Sequence, residues 1–183
     1  MTAQKSTLTH LRKIDRILLE LDSRPLIPPQ FNFPWENFAA KLKSALKIPE
    51  LKLQTQPLKW VAAHEKEQGL GEDLEEACFC LAPLQGYCLW YMSKRDITQL
   101  THLFFSEEQQ GFTSASLQEG FYSFLLLQVL DILSENEFLQ GLKPEFITPP
   151  AAEKGFLSLD LQLQVKNKTF WGRLLIAPKL RQA

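Results

Sequence analysis

Side chains that could bind a metal or act as nucleophiles are sparse in this sequence. The three cysteines, Cys78, Cys80 and Cys88, fall within one strand-like region. Strand alternation puts Cys78 and Cys80 on the same side, and two thiols without further ligands make a poor metal site. An odd, small number of cysteines is typical of reduced thiols in a cytosolic protein. We therefore predict that these cysteines are packed core residues and that the chain binds no metal or cofactor.

The histidines and the common catalytic motifs give no stronger signal of chemistry. His10 and His102 fall on predicted helices, and His64 lies in a polar loop where only carboxylates are near it. The sequence contains no P-loop, no dinucleotide-binding glycine motif and no nucleophile elbow. These residues on their own predict no active site.

An acidic run is the first candidate for a contact with another protein. Glu72, Asp73, Glu75 and Glu76 follow two glycines in a loop-like segment. Their spacing does not fit a calcium-binding loop, and such runs usually form a solvated face. The alternative is a contact with a basic partner.

Aromatic residues are the second candidate. Tyr87, Trp90 and Tyr91 lie close together in the strand-like region, where most aromatic side chains are expected in the core. Because side chains alternate along a strand, Trp90 and Tyr91 must point to opposite faces. One of the two could therefore be exposed and contact a partner.

The third candidate is an amphipathic helix at residues 8–21. Its apolar face includes Leu11, Ile14 and Leu18, and its opposite face is charged. A proline-rich stretch separates it from the rest of the chain. We predict an N-terminal helix and Pro-rich arm over residues 1–33, which either docks onto a neighbour or folds back, and a single domain over residues 34–183.

Charge and hydropathy argue against nucleic acid and membrane insertion. The net charge is −1, from 20 basic and 21 acidic residues, so no basic excess is available to neutralise phosphates. The most apolar segment, residues 111–133, is interrupted by Ser123, Gln128 and Asp131, which predicts no membrane span. The N-terminus does not have the pattern of a signal peptide. We expect a cytoplasmic protein.

The order of the remaining patterns predicts the fold class. Residues 111–133 are apolar around most of the helix, which indicates a central helix packed against a sheet and another helix. Short turns between strands favour an α+β domain with a mostly antiparallel sheet. The outer edge of the last hairpin, if uncovered, could extend another sheet. The other predicted elements are a helix at 35–46, a strand at 51–60 broken at Pro57, a hairpin at 78–93, a helix capped by Asp96, and a closing hairpin formed by 156–165 and 170–178.

The succession of these segments resembles a known family. QGYCLWYMSKRDITQLTHLFF, GFTSASLQEGFYSFLLLQVLDIL and FLSLDLQLQVKNKTFWGRLLIAP are its three parts, with Gly86, Phe112, Thr113 and Glu119 at characteristic places. Their order over roughly residues 50–178 resembles the N-terminal region of the type III secretion cytoplasmic-ring proteins, relatives of the flagellar motor switch proteins. The Leu- and Phe-rich, Gly-poor composition is similar to that of a chlamydial member.

The resemblance implies the fold of the flagellar switch middle domain, which phosphatases of the CheC type share. It implies a non-enzymatic scaffold of the sorting platform that links the inner-membrane ring adaptor to the export ATPase complex, peripheral to the inner membrane. The family usually continues into small β-rich C-terminal modules that bind the ATPase regulator, whereas five residues follow Pro178 here. We expect that this chain lacks those modules, as a truncated or separately made product.

The phosphatase relatives provide an alternative that the sequence can test. Those enzymes place on the long helix a Glu that anchors the phosphoprotein and, three residues later, an Asn that orients water. Aligning Glu119 with that Glu puts Ala115 at the first motif position and Tyr122 at the Asn position. A phenol cannot replace the carboxamide, and Asn136 lies too far along. We predict no enzyme; a phosphoprotein-binding relative and a secretion chaperone or cargo-binding module stay open as alternatives.

Overall fold

The computed structural model describes residues 33–83, 86–105, 115–135, 142–150 and 153–178. The chain divides into two compact units, Met1–Phe31 and Asn32–Ala183, and all the described residues belong to the second. The helix predicted at residues 8–21 therefore lies outside the described residues. Phe33 is buried in the core of the second unit. The division into an arm and a domain stays a prediction.

The described strands form one antiparallel sheet of seven strands. They are β1 (Lys52–Thr55), β2 (Lys59–Ala62), β3 (Leu74–Ala82), β4 (Cys88–Ser93), β5 (Lys143–Phe146), β6 (Gly155–Val165) and β7 (Lys168–Ile176). The order across the sheet is β1–β6–β7–β4–β3–β5, and β2 also pairs with β6. Since β6 has eleven residues, β1 and β2 fit end to end along it, and Pro57 lies in the break between them. This is the break that the sequence predicts.

Within the described residues, three helices cover one face of the sheet. They are α1 (Trp35–Leu46), α2 (Lys94–Phe105) and α3 (Ala115–Ser134). The central helix α3 packs against both α1 and α2, and its buried side contributes Phe121, Leu125 and Leu126 to the main core. In the described part of the chain, no helix is both long and apolar enough to cross a membrane. The α+β fold with an antiparallel sheet and a central helix is therefore confirmed.

The second face of the sheet is covered by the irregular connection between β2 and β3. Arg173 of β7 holds this connection in place, because its guanidinium donates hydrogen bonds to the carbonyl oxygens of Lys66 (3.1 Å) and Gln68 (2.9 Å). The same guanidinium donates to the carboxylate of Asp160, the residue directly opposite on β6. A smaller apolar core that includes Leu175 lies on this face.

One local prediction was wrong, and strand pairing limits the condition on which another depends. Asp96 does not cap α2, which begins at Lys94; the hydroxyl of Ser93 accepts the backbone N–H of Asp96 at 3.0 Å and acts as the cap. The carboxylate of Asp96 instead accepts the backbone N–H of Trp171 at 3.0 Å. Most of the outer edge of the closing hairpin is covered, because β6 pairs with β1 and β2 while residues 172–176 of β7 pair with β4. Its two strands are internal strands of the sheet.

Candidate partner-binding groove

A groove of about 890 Å³ lies between α3 and the outer edge of β3. On the sheet side it is lined by residues 75–78 of β3 and by Phe146 and Ile147 at the end of β5. Lys94 and Ile97 of α2 also contribute, because the N–H of Lys94 binds a carbonyl just before β3 and so places α2 beside it. On the helix side the lining residues are Gln118, Glu119, Tyr122, Ser123, Leu126 and Leu127.

The outer edge of β3 is paired along only half of its length. Residues 79–82 pair with β5, and the N–H of Ile147 adds one further bond to the carbonyl of Cys78 at 3.0 Å. Among the described residues, none pairs with this edge along residues 74–77. Backbone groups of alternate residues point to alternate sides of an antiparallel strand. The N–H and C=O of Glu76 therefore face outward, on the same side as those of Cys78.

The lining of the groove is acidic. Glu75 and Glu119 contribute two carboxylates against the single ammonium of Lys94, which gives a formal charge of −1; Glu76 lines the groove too, but its carboxylate lies on the other face of β3, where it accepts the hydroxyl of Tyr91. A carboxylate oxygen of Glu75 lies 3.6 Å from the Nζ of Lys94, and a carboxylate oxygen of Glu76 lies 3.6 Å from the Nζ of Lys66. Glu119 is exposed and forms no ion pair with another described residue. The groove therefore has negative charge to offer to a partner.

Tyr122 gives the groove a buried polar group. Its side chain is 8% exposed, and its hydroxyl has no hydrogen-bond partner among the described residues. Burial raises the pKa of Tyr122, and the charges of Glu75 and Glu76 raise it further, so the hydroxyl stays protonated and can donate. A buried donor without a partner costs about 1–3 kcal/mol. A ligand that reached this hydroxyl with an acceptor would recover part of that cost.

The other end of the groove is apolar. Leu127 is 55% exposed and Phe146 is 47% exposed, although both are large apolar residues. A single exposed leucine is ordinary on a protein surface. These two come from different elements, α3 and β5, and line the same groove. The groove thus combines an acidic end near the start of β3 with an apolar end near β5.

The predicted acidic contact is divided by the structure. Glu72 and Asp73 lie exposed before β3, whereas Glu75 and Glu76 belong to the strand itself and not to a loop. Asp73 has a φ of 52°, and its carbonyl accepts the N–H of Lys94 at 2.9 Å. Of the four residues in the predicted acidic run, Glu75 and Glu76 line the groove, whereas Glu72 and Asp73 do not.

The predicted aromatic pair lies inside the domain. Tyr91 is 2% exposed; its hydroxyl donates to the carboxylate of Glu76 and accepts from Lys66 at 2.7 Å. Burial and this hydrogen bond raise the pKa of Tyr91. Trp90 is partly buried and lines an apolar cavity of about 80 Å³ between α1, α3 and the sheet. The contact predicted at this pair stays a prediction, and the placement of the rings gives it no support.

The remaining predicted contact residues, Leu11, Ile14 and Leu18, lie outside the described residues. Leu127 and Phe146 are not among the contact residues that the sequence predicts. A signal for Leu127 was present, because the apolar surface of residues 111–133 is wider than one buried face requires. No pattern marks Phe146 or the free edge of β3, since both depend on where β5 pairs.

No metal site or phosphatase motif accompanies the groove. Within the described ranges, no three His, Cys, Asp or Glu residues are placed to hold a metal ion. Glu119 and Tyr122 both line the groove, so the position of the phosphatase Asn is taken by a buried phenol. Gln118 brings a carboxamide to the groove, but it precedes Glu119 by one residue and does not follow it by three.

Comparison with known proteins gives no match to a family model or to a curated protein. Solved structures do match. The middle domain of FliM from Vibrio alginolyticus has a TM-score of 0.64 at 16% identity, over 80% of this chain and 92% of that chain. A chain of the FliG–FliM complex from H. pylori has a TM-score of 0.63 at 12% identity, over 79% of this chain and 86% of that chain. FliY from Thermotoga maritima has a TM-score of 0.55 at 13% identity, over 80% of this chain and 85% of that chain. The described domain has the fold of the FliM middle domain, as the resemblance implies.

Proposed function

We propose that this chain is a non-enzymatic scaffold of a type III secretion cytoplasmic ring, or sorting platform. In this role it links the inner-membrane ring adaptor to the export ATPase complex, in the cytoplasm and peripheral to the inner membrane. The observation that carries the proposal is the FliM middle-domain fold over about four fifths of the chain. The assignment to a secretion system, as opposed to a flagellar motor, is supported by the resemblance of the motif order over residues 50–178 to the secretion-ring proteins.

A binding role is supported by the groove and by what the same fold does elsewhere. In two solved structures, FliM chains are found in complex with FliG and with SpeE. In the present chain, the groove beside α3 offers carboxylates, exposed apolar side chains and an unpaired strand edge, which are all groups that bind proteins.

Co-purification tests the scaffold role. The chain is expressed with a tag beside the ring adaptor and the export ATPase complex of the same secretion system, and captured at physiological salt. We expect both to be retained. Because FliM-type scaffolds act through defined contacts, capture of neither component would contradict the proposal. An unrelated cytoplasmic α+β protein of similar charge serves as the control.

A phosphatase assay tests the enzymatic alternative. Phosphate release from an acyl-phosphate response regulator is measured with and without the chain. We expect no acceleration, since Tyr122 occupies the position at which the carboxamide is needed. A rate enhancement that disappears in Glu119→Ala would contradict the non-enzymatic role and favour a phosphatase relative.

A further inference from the structure

We propose that the groove binds an extended, basic segment of a partner protein, which adds a strand to the outer edge of β3 along residues 74–77. This inference rests on the proposed scaffold function, since it describes how one platform partner would be held. Strand addition needs an unpaired edge, room beside it and side chains that select the occupant. The groove has all three.

The backbone provides the first part of the argument. The free stretch of β3 is four residues long, roughly 13 Å at the usual rise per residue. β5 ends at Phe146, and two prolines follow at positions 149 and 150, which have no N–H to donate. The chain's own ladder therefore stops at Cys78. A partner segment running in the direction of β5 would continue the ladder and pair with the outward N–H and C=O of Glu76.

The opposite edge of the sheet is a poorer template. The strands there, β1 and β2, have four residues each, and they carry the exposed lysines Lys52 and Lys59. Short edge strands with lysines resist pairing with other chains. The outer side of β3 is instead bordered by a groove and by carboxylates. The two edges thus differ in the way expected for one protected edge and one binding edge.

Side chains of the groove select the chemistry of the occupant. On an added strand, alternate residues would face α3. Near β5 such a residue would meet Leu127 and Phe146, so an apolar side chain fits there. Toward the start of β3 the next ones would meet Glu75 and Glu119, so lysine or arginine fits. The pattern read along the segment is apolar, then basic, then basic, at every second position.

Tyr122 is an independent observation that points to an occupant. Its hydroxyl is buried in the wall of this groove and has no partner among the described residues. A carbonyl or side-chain oxygen of the added segment would accept its hydrogen bond. Tyr122→Phe removes this donor, and we expect it to weaken binding about fivefold. The free variant folds at least as stably, because an unpaired buried donor has been removed.

The probe is a labelled heptapeptide in which threonine alternates with leucine, lysine and arginine, in that order. Its binding to the full chain is followed by fluorescence anisotropy. We expect Glu75→Gln/Glu119→Gln to weaken binding about tenfold, because two partly exposed ion pairs are lost. The matched control, Glu36→Gln/Glu50→Gln, removes two exposed carboxylates outside the groove lining and leaves the affinity unchanged. Circular dichroism checks that both variants are folded.

Three results of the binding assay would overturn the inference. The first is that the heptapeptide fails to bind at millimolar concentration. The second is that both double variants bind it with equal affinity. The third is that a heptapeptide N-methylated on the amides that would pair with β3 binds as well as the unmethylated heptapeptide. Hydrogen exchange gives a further readout at single residues. On peptide addition, the amide of Glu76 becomes at least tenfold more protected, while that of Ala77, which faces β4, does not change. An unchanged Glu76 amide would equally overturn strand addition.

The platform capture assay separates this inference from the proposed function. If the Glu75→Gln/Glu119→Gln variant retains the adaptor and the ATPase complex as well as the parent chain, the scaffold role holds and the groove is not its partner site. If the heptapeptide binds as described but no platform component is captured, the groove inference holds and the scaffold role fails.

Discussion

Replacement of Arg173 by methionine is the sharpest test of how the domain is held together. The side chains of Arg173 and Asp160 are 6% and 13% exposed, and the guanidinium also donates to the carbonyls of Lys66 and Gln68. Methionine keeps most of the aliphatic length but removes all of these donors. Asp160 would then stay in a largely buried position with only Lys59, at 2.8 Å, as its cationic partner.

The expected loss follows from this burial. Removing one partner of a buried ion pair costs about 3–5 kcal/mol when the remaining charge loses its compensation, and the half-exposed ammonium of Lys59 compensates Asp160 only in part. For a domain of this size, roughly 2–4 °C of Tm are lost per kcal/mol. We therefore expect Arg173→Met to lower Tm by about 6–20 °C. Lys59→Met is the control; since its side chain is 52% exposed, it costs less than about 1 kcal/mol.

Urea unfolding followed by tryptophan fluorescence gives the free energy of unfolding for each variant. The double variant Arg173→Met/Asp160→Leu removes both charges, and we expect it to recover much of the loss. A loss below about 1 kcal/mol in Arg173→Met would refute the argument. It would mean that the connection between β2 and β3 is held by its apolar contacts and not by the guanidinium.

Three further predictions concern pH, thiols and a close backbone approach. Burial alone raises the pKa of Asp160, but hydrogen bonds from its two cationic partners outweigh this and hold the pKa below its usual value. Its stabilisation is therefore complete above about pH 4, the pKa in an unfolded chain, and is lost as pH falls through the lower folded pKa. In urea titrations at a series of pH values, the difference in free energy of unfolding between the parent chain and Asp160→Asn should shrink as the pH falls below about 4. A difference that stays constant with pH would contradict this. Cys88 is buried, and burial raises its pKa, so we expect a thiol reagent to label the half-buried Cys80 before Cys88. Equal labelling rates for the two cysteines would be evidence against the burial of Cys88. A Cβ at Gly155 would lie 2.7 Å from the carbonyl oxygen of Val61. We therefore expect Gly155→Ala to lower the free energy of unfolding by about 1–3 kcal/mol in the same urea assay. An unchanged unfolding midpoint would show that β2 and β6 can move apart without cost.

The sequence predicts the elements of this fold better than their arrangement. The amphipathic helix at 35–46 and the alternation of residues 156–165 are local patterns, and both appear where expected. Strand pairing is not local. β6 pairs with β1 and β2, about a hundred residues earlier in the chain, so β6 is an internal strand, which its own alternating pattern does not reveal.

The candidate groove was only partly predictable for the same reason. Glu75 stands out in the sequence because its neighbours are also acidic. The sequence correctly places Trp90 and Tyr91 on opposite faces, but the burial of Tyr91 depends on the irregular connection that covers the second face of the sheet, and the sequence of that connection is typical of a solvated loop. The open stretch of β3 becomes visible only when the end of β5 is known.

The apolar cavity beside Trp90 has a consequence for the response of the domain to pressure. Its space of about 80 Å³ is eliminated when the chain unfolds and water reaches the residues around it. Unfolding volumes of about −20 to −100 mL/mol scale with such voids. We expect hydrostatic pressure to loosen the layer between α1, α3 and the sheet before it affects the face that Arg173 holds. Under compression, the same domain would thus yield first on its helical side.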